Sequence, residues 1–139
     1  MATTFQLYQD SGLTIPFTPG TDFIGPVRNP PEDFVLYLGS TETANKVEAA
    51  SDPGVDQITA SITDAAAGSG LETTDIKLAD TAAGLPGATG GASLNLDTEI
   101  VGGVGNAHPI HIRVAFAAGG LVSDQNVAIE INALVESVI

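Results

Sequence analysis

A chain of 139 residues, 43% hydrophobic and 15% charged, is sized for one domain with its own core and is too apolar for whole-chain disorder. Four cations (Arg28, Lys46, Lys77 and Arg113) against 17 acidic residues leave a net charge of −13. That balance excludes nucleic acid and anionic membrane surfaces as partners, since both need clustered cations.

In chain order, residues 3–8 alternate and read as an edge strand. Leu13 to Pro19 is a second extended piece, bracketed by Pro16 and Pro19, which favour sheet edges because proline lacks the ladder donor. Asp22 to Asn29 follows with a bend at Gly25-Pro26, and Pro30-Pro31 sets an extended entry into the next strand. Residues 33–38 form the clearest early strand, with Phe34, Leu36 and Leu38 on one face and Val35 and Tyr37 on the other. Apolar residues on both faces predict a central position. Lys46 to Ala50 reads as a strand, with helix as the alternative. Ser51-Asp-Pro-Gly54 has turn chemistry.

Gln57 to Thr63 predicts a strand with Ile58, Ala60 and Ile62 aligned, and 64–70 a small-residue loop. Thr74 to Leu78 alternates with Ile76 and Leu78 inward. Residues 79–92 read as a long loop with a short helical turn at 80–85. Ser93 to Asp97 is a strand carrying Leu94 and Leu96, and Glu99 to Gly105 continues it around a bend.

Two alternating runs close the chain. Ile110, Ile112, Val114 and Phe116 share one face of the first. Val127, Ile129, Ile131, Ala133 and Val135 share one face of the second. They read as the last antiparallel pair of a sandwich. Eight to ten short strands with turn signals between them predict an all-β fold, an antiparallel β-sandwich.

No constellation predicts chemistry. His108 and His111, the two histidines, are three apart, which in a strand places them on opposite faces. A metal needs convergent ligands, and no third one is in view. Ser and Thr are plentiful, but none sits in a G-x-S-x-G elbow. Asp52, Asp56 and Asp64 flank loops, and Asp22, Glu32 and Asp33 lie close in sequence, without the ordered ligand spacing of a calcium loop. Gly102-Gly-Val-Gly105 precedes no helix and is no phosphate cradle. With 2 Tyr, 5 Phe and no Trp, rings for stacking on sugars are scarce. Arg113 interrupts an outward face, either as a solvated residue or paired with a carboxylate across the sheet or on another chain. No catalytic, cofactor-binding or metal-binding residue is assigned. Cysteine is absent, which fits a reducing compartment. The first residues lack a secretory pattern and no apolar stretch reaches the ~20 residues of a membrane span, so a soluble cytoplasmic product is expected.

Four segments taken together carry a resemblance. Phe34-Val-Leu-Tyr-Leu-Gly-Ser40, residues 49–58, Ile76-Lys-Leu-Ala79 and Pro109-Ile-His-Ile-Arg-Val114 resemble small immunoglobulin-like structural proteins of tailed bacteriophages. The likeness spans about residues 33–135. It divides the chain into an extended Pro-rich arm with edge strands (1–32) and an immunoglobulin-like sandwich (33–139). It implies a virion component without enzymatic activity or cofactor, assembled in the host cytoplasm. The expected form is a capsid decoration (cement) protein bound to the major capsid protein. The alternative is a tail, baseplate or fibre accessory domain that binds a host protein or glycan, and homo-oligomers are compatible with either. Pro16, Pro19, Pro26, Pro30 and Pro31 stiffen the N-terminal segment, whose first 30 residues are expected to lie on a neighbour as an extended arm that adds a strand to an exposed edge.

Overall fold

The computed structural model describes residues 4–17, 32–64, 73–114 and 127–139. These form an all-β, antiparallel sandwich. Ten strands run in chain order: β1 (Gln6–Tyr8), β2 (Glu32–Gly39), β3 (Asn45–Ala49), β4 (Ile58–Asp64), β5 (Ile76–Ala79), β6 (Leu94–Asp97), β7 (Glu99–Val101), β8 (His108–Val114), β9 (Val127–Ile131) and β10 (Leu134–Val138). They make three ladders, ordered β1-β2-β8-β5, β10-β3-β7 and β6-β4-β9. Single 3-10 turns precede β5, occupy 82–84 and precede β8.

Alternation decides which side chains enter the core. Leu36 and Leu38 of β2, Ile110, Ile112 and Val114 of β8, and Ile76 and Leu78 of β5 are buried, with Phe34 packed against them. Val47 and Ala49 of β3, Ile58 and Ala60 of β4, Leu96, Ile100 and Ile129 join the same cluster from the other two ladders. Burying such side chains is worth about 1.5–3 kcal/mol each, so one shared core is the main force holding the three ladders together.

Residues 4–17 belong to this body. β1 pairs with β2 over three residues, and the chain then doubles back, with Phe17 N–H donating to the Leu7 carbonyl and Tyr8 bridging Pro16. Phe5, Leu7 and Phe17 enter the core. The remainder of the expected arm, 18–31, lies outside the described residues, as do the reading of Asp22 to Asn29, most of the loop at 64–70, and Phe116.

Three expectations change. The closing runs are not partners: β8 is flanked by β2 on one side and β5 on the other, so its edges at 111–114 are filled, while β9 pairs with β4. The second run is also not one strand. It breaks at Asn132-Ala133 into β9 and β10, which join different ladders. The break shifts the alternation, so Leu134 packs against the core while Val135 is exposed. Likewise β7 does not extend β6; it crosses to β3. Each strand is short enough for one residue of local geometry to redirect it.

Candidate functional site

The two segments with the most distinctive patterns, residues 34–40 and 109–114, lie side by side. β2 and β8 pair from Glu32 opposite Val114 to Leu38 opposite His108, at the middle of the four-stranded ladder. Their outward faces carry Val35, Tyr37, Pro109, His111 and Arg113, all half-buried. Asp33 and Lys77 flank Arg113 on the adjacent strands.

Arg113 takes the paired alternative. Its Nε donates to Asp33 Oδ1 at 2.8 Å and its Nη2 to Asp33 Oδ2 at 2.9 Å, a bidentate fork between residues directly opposite in the ladder. The hydrogen bond from Arg113 holds the Asp33 carboxyl below its ordinary value, and Asp33 in turn raises the guanidinium. Lys77 stands on the other side of Arg113 and makes no ion pair among the described residues. Lys46 is engaged on β3, with Glu99 at 3.1 Å and Glu48 at 3.7 Å, and its ammonium is raised first by the Glu99 hydrogen bond. Arg28 lies outside the described residues.

The histidines diverge as their spacing requires. His108 Nε2 meets Asp80 Oδ1 at 3.2 Å, while His111 sits between Val35 and Ala79 on the outward face. Among the described residues no group of three or more His, Asp or Glu side chains is placed to hold a metal ion. Asp52 and Asp56 stay exposed in the 51–56 turn, where Asp56 accepts from the Ser51 hydroxyl at 2.6 Å.

A polar network that no sequence pattern announced lies where the chain's two ends meet. Thr4 N–H donates to Glu136 Oε1 at 2.6 Å and Thr4 Oγ1 donates to Oε2 at 2.8 Å. Asn45 Nδ2 also donates to Oε2, at 2.6 Å. The Thr4 hydroxyl further contacts Ser40 Oγ at 2.7 Å, and Ser40 is fully buried. Burial alone would raise the Glu136 carboxyl, but hydrogen bonds from Asn45, the Thr4 side chain and the Thr4 and Phe5 amides outweigh it and lower the carboxyl. Thr4, Asn45 and Glu136 are separated by up to 132 residues, so only the folded chain brings them together. The hydroxyls of Thr4 and Ser40 meet each other and the Thr4 hydroxyl meets the carboxylate, an arrangement that fastens three segments together.

Beside this network is a cavity of about 470 Å³ lined by Phe5, Leu7, Phe17, Leu38, Ile129 and Leu134, with Gln6, Thr63 and Glu130 as its polar wall. It opens between the N-terminal hairpin and β9. No protein-family model matches the chain, and no curated protein or solved structure matches it either.

Proposed function

We propose that this protein is a non-enzymatic structural component of a tailed-phage virion, an immunoglobulin-like decoration protein that binds the major capsid protein on the outer surface of the shell. The observation that carries the reading is the pairing of residues 34–40 with 109–114. The segments that resemble phage proteins are 69 or more residues apart in sequence, yet they form the central strand pair of one sheet and are tied at their end by the Asp33–Arg113 fork.

The physics suits the role. Ligands that bind only the assembled state stabilise it by mass action, so many copies of a small inert sandwich oppose disassembly without chemistry. A net charge of −13 keeps free copies soluble until they dock. The half-buried face of Tyr37, Val35, Pro109 and Arg113 offers aromatic and guanidinium groups of the kind that anchor interfaces.

Cryo-electron microscopy of the particles whose genome encodes this chain tests the proposal. Density for the sandwich on the outer shell is the expected result. Density confined to the tail or baseplate favours the accessory-domain alternative, and absence from the particle ends both. Particles lacking the protein should release their genome at lower temperature than complete ones.

A further inference from the structure

We propose that residues 4–17 are an exchangeable strap, and that the seat they occupy accepts the same segment from a second copy of this chain.

Four observations converge on this segment. Its ladder to the rest of the molecule is three residues long, Gln6 to Tyr8 against Gly39 to Tyr37. Besides the burial of Phe5, Leu7 and Phe17, its polar fastening is the Glu136 carboxylate, which holds Thr4 through both backbone and hydroxyl. Its apolar side chains Phe5, Leu7 and Phe17 line a cavity of about 470 Å³ whose other wall is Leu38, Ile129, Ile131 and Leu134, so a void lies between the strap and the strands it covers. Finally, Leu13 in its turn is held at φ 55°, the only non-glycine residue with positive φ among those described. The Asp10 carboxylate enforces that turn by accepting from the amides of Thr14 and Ile15 and from the Thr14 hydroxyl. A leucine in this region costs of order 1 kcal/mol, and because Asp10, Leu13, Thr14 and Ile15 all belong to the strap, the turn travels with it as a unit from one seat to another.

The occupant follows from the seat. The edge of β2, the apolar cavity and the Glu136 carboxylate are shaped for one sequence, and every copy of the chain carries it. Exchange between copies therefore needs no new complementarity. Fourteen residues, 18 to 31, join the strap to β2, a length of chain that can span at most about 50 Å. It carries Pro19, Pro26, Pro30 and Pro31, a composition that favours an extended spacer.

The groups around Glu136 make acid the means of release. From β3 it meets Asn45, with Lys46 and Glu48 alternating to the opposite face; from the strap it meets Thr4; and Thr4 leads to Ser40 at the end of β2. Glu42 in the following turn is exposed. Protonation of Glu136 thus removes the negative charge and turns one of its two accepting oxygens into a hydroxyl, which weakens the fastening to Thr4 and Asn45. Exchange does not depend on the virion reading, because protein free in solution can show it.

The chain has no cysteine, so engineered thiols report only the intended contact. Tyr8 and Tyr37 are direct ladder partners. Copies carrying Tyr8→Cys are mixed with mass-tagged copies carrying Tyr37→Cys, incubated at high concentration in acid taken below pH 4.5, the ordinary value under which the Glu136 carboxyl lies, then returned to neutral pH and oxidised. Disulfide heterodimers several-fold above the random proportion are expected, rising with concentration and forming faster when Glu136→Gln is added to both. Heterodimers at the random proportion only would overturn the proposal. Because Tyr8 is buried, wild-type protein is cycled in parallel. Dimers that persist after dilution to neutral buffer are expected by size-exclusion chromatography with light scattering, and monomer throughout would equally overturn it.

Discussion

Arg113 shows how one side chain can be neutral in the energy of the fold and still set its order. The guanidinium and Asp33 are solvent-accessible, and screening by water leaves such pairs little net stability. Their bidentate geometry instead fixes the register at the far end of the β2–β8 pair, where Asp33 opposes Arg113. The folded Asp33 carboxyl lies below its ordinary value of 3.8. Its contribution is therefore present above that value and is lost as pH falls through the lower folded one. Asp33→Asn should lower the melting temperature slightly at neutral pH, and the difference from wild type should vanish in strong acid. A thermal-melt series across pH checks both. Glycine 102 poses the opposite case, where space alone decides. A Cβ there would lie 1.9 Å from the Glu42 carbonyl oxygen, while its N–H donates to the Asn45 carbonyl at 2.8 Å. Gly102→Ala should cost about 2 kcal/mol or more in urea unfolding. Gly105→Ala, three residues on with nothing within 4 Å, should stay within about 0.5 kcal/mol.

At the scale of the strand, alternation made most elements legible and long-range polar contacts hid the rest. Phe34, Leu36 and Leu38, or Ile110, Ile112 and Val114, announce both a strand and its buried face because a period of two has one physical meaning in a sheet. Partner choice has no such local signal. The run from Val127 to Val135 keeps its period through Asn132, and only the fold shows why it stops there. Asn132 Oδ1 accepts from Thr59 N–H at 2.9 Å and its Nδ2 donates to the Gln57 carbonyl at 3.1 Å, while its own N–H donates to the Thr59 carbonyl. The side chain thus takes over ladder positions beside the register shift at Ile58/Thr59 and frees the chain to cross to β3. Glu136 escaped notice for the same reason, since its partners Thr4 and Asn45 are remote in sequence. Arg113 was legible as an interruption of its strand, and its carboxylate partner became evident only with the register. Asn132→Ala should cost about 1 kcal/mol through the half-buried amide of Thr59 left without its acceptor. Hydrogen exchange should then rise first at the β9–β10 junction, whereas an unchanged denaturation midpoint would show that the crossing holds without it.

For the molecule as a whole, the governing imbalance is 17 acidic residues against four basic ones. Of the three cations in the described residues, Arg113 and Lys46 already hold carboxylates, so most acidic charge faces only its own kind. Self-repulsion of this sort destabilises the compact state relative to an expanded chain, in which like charges move apart. Salt acts on the two kinds of interaction with opposite signs. It weakens the few pairs, which are worth little, and it weakens the many repulsions, which sum over the whole surface. Repulsion wins by number, so the melting temperature at neutral pH should climb by a few degrees as ionic strength rises from about 0.01 M to about 0.1 M, where the Debye length shrinks from about 30 Å to about 10 Å. Differential scanning calorimetry across that range measures it. A melting temperature that falls with salt would mean that the Asp33–Arg113 and Lys46–Glu99 contacts outweigh the bulk repulsion. The same imbalance governs assembly: two copies exchanging straps must bring two bodies of charge −13 together. Added salt should therefore favour the exchanged dimer more strongly than it favours the fold of a single chain, and running the thiol-exchange experiment at both ionic strengths separates the two effects.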